Sequence, residues 1–201
     1  MEAYPDGITK DYEYDPAAVQ RVNFRTVKQP LVIVDPDPSW PQAFESIKRR
    51  IVDALGAKAL VVSHVGSTSV PSLPAKPIID IDLTVPDAAD EASYVPALQS
   101  AGFLFLTREP HWHEHRLFTI TEPHCNLHVF AKGSAEPLRH LIFKEWLLEN
   151  EDEKQLYTAA KREAAAASVR AGMNMMDYNL QKQDVIRQIL RRAFRARGLL
   201  E

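Results

Sequence analysis

Residues 78–85 read Ile-Ile-Asp-Ile-Asp-Leu-Thr-Val. Ile79, Ile81, Leu83 and Val85 alternate with Asp80, Asp82 and Thr84, the period of two that sends apolar side chains to one face of a strand and polar ones to the other. A helix would scatter the same residues around its circumference, so the segment is a strand with one face on a core and two carboxylates on the other. Those carboxylates lie roughly 6 to 7 Å apart along the backbone and repel each other. Water compensates them if the face is simply solvated. A hard divalent cation such as Mg²⁺, commonly held by one or two carboxylates and substrate phosphates, compensates them by charge.

The surrounding patterns build an α+β fold. Leu31 to Val34 and Ala59 to Val62 read as short apolar strands. Between them Ser39 and Gln42 resemble a capping box, and Phe44, Ile47, Ile51 and Leu55 recur at helical spacing until Gly56. A helix ending near Gly102 precedes strands at Phe103 to Leu106, Leu117 to Thr121 and Asn126 to Phe130, the last two joined as a hairpin through Glu122-Pro123-His124. From Ser134 onward the pattern is helical: a stripe of Leu138, Leu141, Ile142 and Trp146, an Ala-rich segment 151–171, and a stripe from Val185 to Phe194. The expectation is an extension or arm over 1–29, to which no chemistry is assigned, and one domain over 30–198. Its sheet core spans about 30–132 and its helical annex about 134–198.

Composition narrows the function. With 45% apolar and 25% charged side chains in 201 residues, one substantial core is feasible. The 24 basic and 27 acidic residues leave a formal charge of -3, which argues against nucleic acid or an anionic membrane as partner. No apolar run reaches the roughly 18 residues of a membrane helix, and the acidic, Tyr-rich start lacks a signal peptide's apolar stretch. A lone cysteine, Cys125, forms neither an internal disulfide nor a multi-thiolate zinc site. The expected compartment is the cytoplasm.

Upstream of the two-aspartate strand lies the turn Gly66-Ser67-Thr68-Ser69. Glycine lets a backbone approach a ligand closely, and successive N–H groups make an anion-binding concavity; in isolation such a turn equally well only connects two elements. His64-Val65-Gly66-Ser67-Thr68-Ser69-Val70-Pro71, Ala75-Lys76-Pro77-Ile78-Ile79-Asp80-Ile81-Asp82 and Asn126-Leu127-His128-Val129-Phe130 resemble the signature segments of the GrpB family, within the nucleotidyltransferase superfamily. The resemblance extends from about Leu31 to Arg197 and includes 113–117, 139–147 and 176–183. It implies a nucleotidyltransferase-like mixed sheet with flanking helices, Gly66 and Ser67 against a triphosphate, and Asp80 and Asp82 as the metal pair. Where the superfamily usually supplies a third carboxylate, this chain carries His128. An imidazole ligates softer metals such as Mn²⁺ or Zn²⁺, or serves as a base, but does not reproduce an all-oxygen Mg²⁺ clamp.

Five histidines, His111, His113, His115, His124 and His128, fall within 111–128. If the strands there are hairpin partners, several imidazoles converge, and His113 and His115 join His128 as metal-ligand candidates in preference to His111 and His124. Surface histidines without a shared role fit the same spacing. Lys76 and Arg116 are candidates for phosphate, as is Lys182, four residues from Tyr178 on one helix face; Lys76 also suits a salt bridge to one of the aspartates, and the Tyr178–Lys182 pair a covered helix surface.

Two functions follow. The first is metal-dependent transfer of a nucleotidyl or phosphoryl group from a nucleoside triphosphate to an unnamed acceptor, with Asp80, Asp82 and His128 catalytic. The second is a nucleotide- or metal-binding module of the same fold without turnover. The expected partner is a nucleotide or other phosphate-bearing small molecule, and the assembly considered is a homodimer.

Overall fold

The computed structural model describes residues 4–27, 30–171 and 175–201. Among them six strands form one mixed sheet: β1 (Gln20–Arg21), β2 (Val61–Val65), β3 (Ile79–Val85), β4 (Leu104–Glu109), β5 (His115–Thr121) and β6 (His124–Ala131). The helices are α1 (Trp40–Leu55), α2 (Val95–Ser100), α3 (Ala135–Glu149), α4 (Glu151–Ala171) and α5 (Met175–Ala196). The spatial order is β1-β4-β5-β6-β3-β2. β3 and β6 run parallel, and the other neighbouring pairs are antiparallel.

The period-two pattern of β3 divides the molecule into two chemistries. Ile81, Leu83, Leu127 and Val129 are buried in one cluster with Phe44, Ile47 and Ile51 of α1. Each such side chain contributes about 1.5 to 3 kcal/mol of transfer free energy on burial. On the opposite face the parallel register pairs Asp80 with Asn126 and Asp82 with His128. This is the face that the helical annex reaches: His140 of α3 meets Asp82, and Lys144 donates to the His64 carbonyl.

Several local expectations change. Leu31 to Val34 is no strand; only Val34 forms an isolated bridge, to Ala75, because Pro30, Pro36 and Pro38 remove the donors a ladder needs. The strand expected over 59–62 is shifted to 61–65, since Gly56 to Lys58 make a short 3₁₀ turn before it. Ser39 makes no side-chain cap; instead its N–H donates to Asp37 Oδ1 at 2.8 Å. Gly56 does end α1, with a positive φ of 53°. Among the described residues no helix is long and apolar enough to cross a membrane.

Candidate active site

Asp80 and Asp82 share the polar face of β3 as their spacing requires, but their surroundings differ. Asp80 accepts from Asn126 Nδ2 at 2.8 Å, and burial raises its pKa against the opposing pull of Asn126, Lys76 and Lys182. Asp82 is only 2% exposed; its Oδ2 meets His140 Nδ1 at 2.8 Å while its Oδ1 is buried without a hydrogen-bond partner. Burial alone would lower the His140 pKa, but the Asp82 carboxylate beside it, by attraction and hydrogen bonding, raises it to about 9. The neutralising partner of Asp82 is therefore an imidazolium from the annex.

Gly66 follows β2 with φ 66° and ψ -170°, a backbone conformation that side chains disfavour. Space dictates the same residue: a Cβ there would lie 2.5 Å from Asp80 Oδ2 and 2.9 Å from its Cβ. The turn is fixed internally, with Ser69 Oγ donating to the Gly66 carbonyl at 2.7 Å and Thr68 Oγ1 to the Ile78 carbonyl at 3.2 Å. Gly66, Ser67, Asp80, His140, Tyr157 and Lys182 line one cavity of about 570 Å³. Lys182 and Lys76 both lie over the Tyr178 ring, 4.6 and 4.5 Å from its centroid. Desolvation lowers each ammonium to about pKa 8 against the opposing pull of Asp80, so two lysines share the Tyr178 ring near that carboxylate.

The histidines divide. His128 shares the carboxylate face, and its Nδ1 meets His115 Nε2 at 3.0 Å, while His115 Nδ1 meets Glu109 Oε1 at 3.0 Å. Burial, with His115 and His140 nearby, holds His128 well below its ordinary pKa. With the Glu109 carboxylate accepting from His115 Nδ1–H, His115 Nε2 is the acceptor for His128 Nδ1–H, and the free lone pair of His128 is at Nε2. Both nitrogens of His115 are thus committed, contrary to its expected role as a metal ligand. His113 is likewise drawn elsewhere, stacked edge-on against Tyr12 at 4.8 Å and 3.7 Å from Glu136. His111, given less weight from the sequence, lines the cavity.

Arg116 is not brought to the site. On β5 it is paired with Val129, which places it on the α1–α2 face, where it donates to Glu91 at 2.7 Å and to Glu114 at 3.2 Å. Sequence reading also missed His140, and it missed Arg25 of the arm. Arg25 donates to Thr119 at 2.8 Å and to Asn126 Oδ1 at 2.7 Å. That contact turns the Asn126 amide so that its Nδ2 faces Asp80, making Arg25 a positioning residue for the site. The signals for His140 are its place four residues after Glu136 at the start of a helix and its inclusion in the segment 139–147 that carries the family resemblance.

The family model for the GrpB protein matches residues 30–192. The chain belongs to the GrpB family. A UPF0157 protein of Halalkalibacterium halodurans is 44% identical over 163 residues, covering 81% of this chain and 82% of that protein. One from Streptomyces coelicolor is 40% identical, covering 81% and 84%. A dephospho-CoA kinase of Mycolicibacterium paratuberculosis is 31% identical over 83% of this chain but only 47% of its own length. The crystal structure of the conserved protein GrpB from Enterococcus faecalis superposes with a TM-score of 0.70 and 25% identity, over 83% of this chain and 99% of that one.

Among the described residues no group of three or more His, Cys, Asp and Glu side chains is gathered to hold a metal by itself. Asp82 Oδ1 does offer an uncommitted buried oxygen, and Asp80 is beside it on the same face. Such a pair suits Mg²⁺ or Mn²⁺ that completes its shell with water and substrate phosphate; it does not suit a closed structural zinc site.

Proposed function

We propose that this GrpB protein binds the phosphates of a nucleoside triphosphate in the cavity beside Gly66 and Ser67 and transfers a nucleotidyl or phosphoryl group to an acceptor in the outer part of that cavity. The observation that carries this reading is the abutment of Gly66 on Asp80, where even a Cβ would collide with the carboxylate. A glycine held at positive φ against a buried acid, in one cavity with a lysine, is a cradle for an anion next to a cation seat.

The chain's own groups divide the work. Backbone N–H groups of the Gly66-Ser67 turn orient phosphate, while Lys182 and Lys76 offset its charge. Asp80 and Asp82 would hold a divalent cation, which when bound neutralises charge developing on the phosphate oxygens. Arg25, through Asn126, keeps Asp80 in place. His128, neutral and tied at Nδ1, presents Nε2 to accept a proton from the acceptor hydroxyl. The similarity to proteins named dephospho-CoA kinase supports nucleotide-related chemistry at this coarse level.

A second reading, nucleotide binding without turnover, is favoured by His140: it already neutralises Asp82, and no third carboxylate stands where His128 does. Thermal shift with nucleotides and Mg²⁺, Mn²⁺ or Zn²⁺ tests the shared claim. A bound ligand at a hundredfold excess over Kd raises Tm by roughly 5 to 10 °C in a chain of this size, and no shift with any pair contradicts both readings. Where a shift is found, release of pyrophosphate or nucleoside diphosphate separates transfer from binding alone.

A further inference from the structure

The arm crosses the outer end of the same cavity. Its two ends are fixed by neutral contacts: Ile8 is buried against Ile142, Leu190 and Phe194, and β1 pairs with β4. Between them the contacts are largely ionic. Asp11 meets Arg191 at 2.7 Å and Arg139 at 3.8 Å, and Glu13 meets Arg187 at 2.7 Å. Arg187 also donates to the Tyr12 carbonyl at 2.8 Å, with Gln183 beside it at 3.4 Å.

Arg139 and Arg187 line the cavity together with Asp11 and Glu13 themselves. Arg139 is 6% exposed in its side chain; its Nε is paired with Glu136 at 3.0 Å and its Nη1 donates to the Ile8 carbonyl at 2.6 Å, which leaves Nη2 turned to Asp11. Three guanidinium groups from α3 and α5 thus converge on carboxylates supplied by a segment that lies outside the family match, which begins at residue 30. The planar fork of arginine fits carboxylate and phosphate alike, so the arm's side chains stand where an oxyanion of a ligand would.

We propose that Arg139 and Arg187 of the cavity wall, with Arg191 at its rim, form a second oxyanion subsite for a phosphate or carboxylate group carried by the acceptor, and that Asp11 and Glu13 mask it until such a group displaces them. The acceptor's part in this rests on the transfer reading above; the subsite itself does not.

The test is isothermal titration at low salt of inorganic triphosphate and of citrate into the full chain, wild type and Asp11→Asn with Glu13→Gln. Unmasking the subsite strengthens binding of at least one probe by about fivefold, in keeping with the loss of the three ion pairs that Asp11 and Glu13 make. Gain with triphosphate alone assigns a phosphate, with citrate alone a carboxylate, and with both a general oxyanion site. Adding Arg187→Gln removes the gain. Absence of gain with both probes, or gain that survives Arg187→Gln, overturns the proposal. Should the double variant fail to fold, Glu13→Gln alone, at a side chain 81% exposed, must show a smaller gain or the proposal falls. Gain without any binding of nucleoside triphosphate by the wild type overturns the transfer reading and leaves the subsite standing.

Discussion

His140 Nδ1 of α3 stands 2.8 Å from Asp82 Oδ2 of β3, so the helical annex is joined to the polar face of the sheet by charge. Because the folded His140 pKa is raised, to about 9, its contribution to stability is fully present below the unfolded value near 6.5 and is lost as pH rises through about 9. The difference in Tm between wild type and His140→Gln is therefore largest at pH 6 and shrinks between pH 6.5 and 9. Measuring the difference cancels the opposing effect of Lys76 and Lys182, whose lowered pKa values make stability rise with pH above about 8. A Tm difference independent of pH would show that the pair is not charged.

The two aspartates respond differently to neutral replacement. Asp80→Asn removes a charge that burial disfavours and leaves stability in metal-free buffer unchanged or raised. Asp82→Asn strips His140 of its counter-charge and costs about 2 kcal/mol near pH 6. Urea unfolding of the single variants at that pH separates them, and equal costs would contradict the distinct surroundings described for the two acids.

His128→Asp places a carboxylate across from Asp82, since the two positions are register partners on adjacent strands. Because a third carboxylate completes the hard oxygen set beside Asp80 and Asp82, the variant is expected to gain affinity for Mg²⁺ relative to Mn²⁺. Competition between the two ions in the presence of nucleotide measures the ratio. An unchanged ratio would place His128 outside the metal's reach and confine its role to the hydrogen bond with His115.

The features legible in the sequence are those with a local period. The alternation of 79–85 announced both faces of β3, and the spacing of Phe44, Ile47 and Ile51 announced α1. β5 carried no such message: Arg116, Phe118 and Ile120 alternate with His115, Leu117 and Thr119, so each face holds both apolar and polar residues, and only the pairing of Arg116 with Val129 decides that the guanidinium leaves the site. His140 was hidden for another reason. Its approach to Asp82 depends on how α3 docks across the sheet, a relation between positions 58 residues apart in the chain. The arm, with no hydrophobic period at all, gave no sign that Arg25 would reach Asn126 or that Asp11 would reach Arg191.

The most direct test of the account is isothermal titration of ATP and GTP with Mg²⁺ or Mn²⁺ into wild type and Gly66→Val. The wild type should bind at least one nucleotide in a saturable, metal-dependent manner. In Gly66→Val the added side chain must clash with Asp80 and strain a positive φ, costing roughly 2 to 4 kcal/mol of stability, and metal-dependent binding should be lost while circular dichroism still reports a folded chain. A folded Gly66→Val protein that binds nucleotide as the wild type does, or a wild type that binds neither nucleotide with either metal, would contradict it.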